Sequence, residues 1–166
     1  MYQVFQETDE DWWEVENLYD TTFGPGRVSL SSYRLRDGVD RVRELCFLAR
    51  DDENILSGCI RYWPVRVGKH AALLLGPVAV HPTRQGEGLG GILLAHSLDA
   101  ARESGWERVV LVGDLPYYQR FGFEKLEHIE MPPPTNPERV LGQELVKGAW
   151  DGIKGRVEGW IAPPHD

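Results

Sequence analysis

The chain has 166 residues and a formal net charge of −8, from 18 Lys and Arg against 26 Asp and Glu. That length suits one domain, and with 42% apolar residues the chain is expected to bury a core rather than stay disordered. The acidic balance argues against a general nucleic-acid or anionic-membrane binder, whose affinity rests on clustered Lys and Arg.

Residues 1–11 are polar and acidic, with neither the basic start nor the apolar stretch of a signal peptide, so a cytoplasmic location is expected. Thr8 and Asp11 have capping-box spacing. Trp12, Val15, Tyr19 and Phe23 then recur at helical spacing, which predicts an amphipathic helix ending near Gly24-Pro25-Gly26. Residues 27–38 form a polar loop or short helix carrying Arg27, Arg34 and Arg36. Residues 45–49 and 55–67 read as two strands of a hairpin around a turn at 51–54. After a Gly68-Lys69 turn comes an apolar strand, 71–80, about half the length needed to span a bilayer.

A helical pattern from 88 to 103 stops at Gly105, and a continuously apolar strand at 109–112 follows, which makes a βαβ-like unit with the strand before it. Next come a helical turn around 117–121, a strand at 123–130, the stiff MPPPTNP connector and a strand from 140 to 147. The glycine-rich residues 148–166 are left without an assigned element, as an extension packed on or trailing a domain of residues 1–147. Cys46 and Cys59 sit in separate strand-like segments and read as reduced, packed thiols. No Cys/His spacing suggests a metal site.

The chemistry concentrates in LGPVAVHPTRQGEGLGG, residues 75–91. Pro77 has no N–H for a central ladder, so Gly76-Pro77 predicts a bulge that leaves backbone groups unpaired. The glycines at 86, 88, 90 and 91 precede an apolar helix, where converging N–H groups and the helix dipole make a phosphate-binding turn without lysine. A Walker P-loop is excluded, because Gly90 is followed by Gly91-Ile92 and not by Lys-Ser/Thr. Gly86, Gly88 and Gly91 match G-x-G-x-x-G literally, but a dinucleotide fingerprint belongs to the first strand-turn-helix of its domain. Here a helix and three strands come first. The remaining pattern is Gln85-x-x-Gly88-x-Gly90 after a Val78-Ala79-Val80 strand end.

That pattern, with Tyr117-Tyr118-Gln119-Arg120-Phe121-Gly122-Phe123 downstream, resembles the GNAT superfamily of acetyl-CoA-dependent N-acetyltransferases, and within it the YhbS-like group. The resemblance implies a single α/β domain with a mixed, mostly antiparallel twisted sheet, splayed between two central strands and flanked by helices. It implies acetyl-CoA as co-substrate, held by Val78, Ala79 and Val80 along the strand and by Gln85, Gly86, Glu87, Gly88, Leu89, Gly90 and Gly91 at the turn. Tyr118, four residues before Gly122, matches the tyrosine that protonates the departing thiolate. The general base is less defined. The strand at 109–112 offers no carboxylate, so Asp114 is the nearest acidic candidate, with a turn or helix-cap role as its alternative.

The expected reaction is direct transfer of acetyl to a primary amine of a small-molecule or peptide acceptor, with no metal and no nucleic-acid or membrane partner. The resemblance implies an acceptor side framed by residues 23–38 and the late strands; Arg27, Arg34 and Arg36 make the first of these locally basic, where a carboxylate- or phosphate-bearing acceptor and a solvated loop face are both open readings. A homodimer through the late strands is compatible with the sequence. The competing function is an acyl-CoA-binding regulatory or sensor module with little catalysis.

Overall fold

A computed structural model describes residues 1–24, 26–27 and 31–160. The chain runs β1 (Gln3–Gln6), α1 (Trp12–Phe23), β2 (Phe47–Arg50), β3 (Leu56–Val67), β4 (His70–Val80), α2 (Leu89–Glu103), β5 (Arg108–Val112), α3 (Leu115–Gln119), β6 (Glu124–Lys125), β7 (Ile129–Glu130), β8 (Val140–Glu144) and β9 (Gly155–Gly159). Short 3-10 turns join several of these, among them Ser31–Arg36 and Pro82–Arg84. The strand order is β1-β2-β3-β4-β5-β8-β6, with β9 laid on the far half of β3 and also pairing β7. Within the main sheet only β4 and β5 run parallel, through the α2 crossover. This is the mixed, mostly antiparallel α/β fold expected.

Local chemistry accounts for the main helices. The Thr8 N–H donates to Asp11 Oδ2 at 2.8 Å, which starts the chain turning into α1, and Gly24 at φ +84° ends it. One core lies between the sheet and α2, with Leu89, Leu93, Leu94 and Leu98 against Ile60, Tyr62, Leu73, Val109 and Leu111. The other face holds Leu74 and Val110 with Val67, Leu35 and Val157, so β5 is covered on both sides. A smaller cluster of Val15, Leu18 and Tyr19 packs α1 on Cys59 and Ala79. Both cysteines are buried, free thiols.

Three elements differ from the sequence expectation. The strand predicted over 123–130 is two short pieces: β6 follows β8 only as far as the Leu126 N–H on the Val140 carbonyl, and β7 then joins β9. The first strand, β1, pairs with β2 along four positions. Residues 155–159, unassigned above, form β9 through Val157, buried against β3. Among the described residues, no helix is long and apolar enough to cross a membrane, and no group of three or more His, Cys, Asp and Glu could hold a metal ion.

Candidate active site

The site begins where β4 leaves β5. These strands pair only at Leu73–Val109 and Leu74–Val110. Just beyond, β3 steps from Ile60 to Tyr62 while β4 steps from Val78 to Leu75, so β4 holds one extra residue at Gly76-Pro77. The bulge predicted from Pro77 is therefore present. Side chains take its carbonyls: that of Gly76 accepts from Trp63 Nε1 and Arg36 Nη2, each at 3.1 Å, and that of Pro77 accepts from the Tyr19 hydroxyl at 2.8 Å.

The remaining backbone of β4 follows from ladder alternation. The His81 N–H bonds the Ser57 carbonyl at 2.8 Å, so in this antiparallel register Ala79 is the residue bonded to β3. The N–H and C=O of Val78 and Val80 point the other way, into the gap beside β5. Gln85 Nε2 caps the Val80 carbonyl at 3.2 Å. Both groups of Val78 and the N–H of Val80 are left facing the gap.

The glycine turn lies at the mouth of the same gap. Gly86 and Gly88 have φ of +89° and +80°, a conformation that costs other residues roughly 1–2 kcal/mol. Among the described residues, no protein group accepts from the N–H of any residue from 85 to 91; the first bonded is that of Ile92, on the Gly88 carbonyl. Unpaired donors at a helix start are a ready anion cradle. Aromatic rings close its inner side. A Cβ at Gly90 would stand 2.6 Å from the Tyr117 hydroxyl, and one at Gly91 3.0 Å from the Phe121 ring, so a side chain at either position would push these rings from where they stand.

Two cavities meet in the gap. A groove of about 690 Å³ runs along Val78, Val80, Gln85, Gly86, Gly88, Leu89, Gly90 and Gly91, with Arg84 and Arg120 beside it. A cavity of about 390 Å³ opens on the other side, lined by Arg36, Gly76, Pro77, Asp114 and Arg139. Phe23, Val78, Tyr117 and Tyr118 line both. Of the residues predicted for the cofactor, Ala79 does not line the groove, and Glu87 turns its carboxylate away from it. Ala79 is 2% exposed in the α1 core, and Glu87 Oε2 accepts from the Tyr2 hydroxyl at 3.0 Å. Arg120, which the sequence reading did not weigh, lies over the Tyr117 and Phe121 rings and makes no ion pair among the described residues.

Tyr118 is fixed where the cavities join. Its ring stands edge-on to Tyr117 at 4.9 Å and to Phe123 at 5.7 Å, and packs so closely on Gly113 that a Cβ there would lie 2.5 Å from Tyr118 Cε2. Among the described residues nothing bonds its hydroxyl. Burial pushes the phenol up to about 12; Tyr117 adds to this and Arg139 opposes it. Asp114 is the N-cap residue of α3, but its carboxylate makes no cap bond and is exposed at the second cavity. Its carbonyl accepts the Tyr118 N–H at 3.0 Å, which ties the two residues together.

The three acceptor-side arginines separate. Arg27 bonds Glu16 and Asp20, Arg34 reaches the Pro133 carbonyl from an exposed position, and only Arg36 is turned to the bulge. His81 caps the Pro82–Arg84 turn, accepting from the Thr83 N–H.

A gap between parallel strands, a bulge before it and a bare glycine turn beyond it are the features the sequence motifs anticipated. Residues 12–123 match the profile of the acetyltransferase (GNAT) family. The chain belongs to that family. It is 33% identical over 118 residues to the N-acetyltransferase YhbS of Escherichia coli (strain K12), an alignment that covers 69% of this chain and 71% of YhbS. The crystal structure of E. coli YhbS in complex with CoA superposes with a TM-score of 0.80 at 28% identity, over 96% of this chain and 89% of that one. A GNAT acetyltransferase from Brucella melitensis in complex with acetyl-CoA superposes at 0.71, also 28% identical, over 98% and 97%. This GNAT chain is thus similar along nearly its whole length to acetyltransferases seen with CoA or acetyl-CoA.

Proposed function

We propose that this GNAT enzyme transfers acetyl from acetyl-CoA directly to a primary amine, with the co-substrate in the 690 Å³ groove and the amine entering from the 390 Å³ cavity. The observation that carries this reading is that the two cavities share a wall at the end of the gap, and Tyr118 stands in that wall. The N–H groups of residues 85–91 hold the pyrophosphate, and Val78 and Val80 pair with the pantetheine amides as an added strand would. Arg120 lies beside this groove and adds positive charge to it.

Acetyl-CoA supplies a thioester, which an amine attacks without a further activating group. A C–N bond forms, the C–S bond breaks, and the amine loses a proton as sulfur gains one. Holding the two reactants in adjoining cavities supplies much of the rate. Asp114 attracts the acceptor ammonium and receives its proton, directly or through water. Asp114→Asn is expected to lower kcat/KM for the acceptor about tenfold and leave the acetyl-CoA KM unchanged. An unchanged acceptor kcat/KM assigns Asp114 to the turn alone.

Tyr118 donates to the departing sulfur. Its pKa of about 12 lies above that of an ordinary thiol, near 8.5, so donation to the charge developing on sulfur is the larger part of its role. A phenol holds its proton below its pKa, so the donor is present throughout the neutral and mildly basic range. The kcat profile is expected to climb as the amine deprotonates and stay level to about pH 10. A fall centred between pH 8 and 9 in the wild type, absent in Tyr118→Phe, contradicts the assignment.

A further inference from the structure

We infer that the acceptor carries a carboxylate, received by Arg36 on the Gly76 wall of the 390 Å³ cavity while its amine lies at the Tyr118 end. This rests on the acetyl-transfer reading and names its substrate class.

Among the described residues, Arg36 is a cation without a counter-ion. Its neighbours are neutralised: Arg27 by Glu16 and Asp20, and Arg61 by Glu7, with Glu16 Oε1 at 3.5 Å. Among the described residues, no carboxylate lies within 4.0 Å of Arg36. The Tyr33 ring covers one guanidinium contact at 3.6 Å, with Trp63 at 5.0 Å. Arg36 Nη2 holds the Gly76 carbonyl, and Nε is buried with no partner. A guanidinium taken out of water without an anion is unfavourable, and burial pulls Arg36 below its ordinary pKa. A ligand carboxylate removes that cost.

The rest of the cavity agrees. Arg139 also lines it, and among the described residues it has no ion pair, so two uncompensated cations face one carboxylate, Asp114. In a chain of net charge −8 this is a locally positive chamber. A guanidinium laid over the Tyr33 ring, with Trp63 beside it, suits the planar two-oxygen face of a carboxylate. The arrangement of many backbone donors that suits a phosphate lies on the other side, at the glycine turn.

The test uses glycine, β-alanine and 4-aminobutyrate, each against its neutral amide at equal free-amine concentration. For at least one pair the wild type is expected to favour the acid tenfold or more in kcat/KM. Arg36→Gln removes most of that ratio, Arg36→Lys keeps part of it, and both retain the acetyl-CoA KM. Equal rates for acid and amide in the wild type overturn the proposal, as does an equal loss on both in Arg36→Gln. A preference for O-phosphoethanolamine over every amino acid replaces carboxylate by phosphate and overturns it too. Calorimetry with CoA-saturated protein separates the two readings. Arg36-dependent binding of an acid over its amide, without acetylation of any amine, supports the anion site and contradicts acetyl transfer. No such binding, with neutral amines acetylated, does the reverse.

Discussion

Tyr118→Phe is expected to lower kcat on the order of 10²–10³-fold while the acetyl-CoA KM stays within about threefold. The ring is held by Tyr117, Phe123 and the close contact with Gly113, so removing the hydroxyl leaves the packing in place. What disappears is the hydroxyl of a ring that lines both cavities and that bonds nothing else among the described residues. An interaction made only as sulfur departs appears in kcat and not in ground-state binding. If kcat is unchanged in a variant that binds acetyl-CoA normally, Tyr118 is a core aromatic and nothing more.

The second large effect falls on binding. Gly88→Val places a β-branched side chain at φ +80°, where the left-handed backbone costs roughly 1–2 kcal/mol and branching adds to it. Relaxing that strain turns the N–H groups of residues 86–91 away from their common focus. The acetyl-CoA KM is expected to rise about tenfold or more, with kcat at saturation nearly unchanged, since Tyr118 and Asp114 stand on another element. Initial rates over a wide acetyl-CoA range read this directly. A normal KM with depressed kcat refutes the phosphate assignment of the turn. On the proposed reading, the two variants divide the site into a half that acts on the leaving group and a half that holds the co-substrate.

The parts of this site legible in the sequence were those written in backbone chemistry. A proline in an apolar strand lacks a donor wherever the chain goes, and glycines at a helix start permit positive φ in any tertiary setting. So Gly76-Pro77 and the turn from Gly86 to Gly91 were readable residue by residue. Side-chain assignments depended on distant elements and were less so. Arg27, Arg34 and Arg36 look equivalent in sequence, and only the approach of Glu16, Pro133 and Gly76 gives them three different partners. Glu87 belongs to the glycine motif, yet Tyr2, from the opposite end of the chain, draws its carboxylate away.

The elements missed share a physical cause. Four-residue β1 has two exposed glutamines at its ends, and β9 has one deeply buried side chain, so neither shows the alternation that marks a half-buried strand. Both exist through pairing with β2 and β3, which the local sequence does not encode. Conversely, β5 was legible over residues 109–112, VVLV, because both of its faces are covered, and continuous apolarity is the signature of that burial.

The net charge also takes on a different meaning at this scale. An acidic chain disfavours polyanions gripped by side-chain charge, but the cradle at residues 85–91 consists of backbone donors, and the cavity beyond it is locally positive.

The most direct test of the account is CoA thiol release from acetyl-CoA across a panel of amines, with mass identification of the amine product. Amine-dependent release, matched by an amine heavier by one acetyl group, is the expected result. Calorimetric binding of acetyl-CoA with no amine-dependent release on any member of the panel would contradict it, and would leave the chain as an acyl-CoA-binding module.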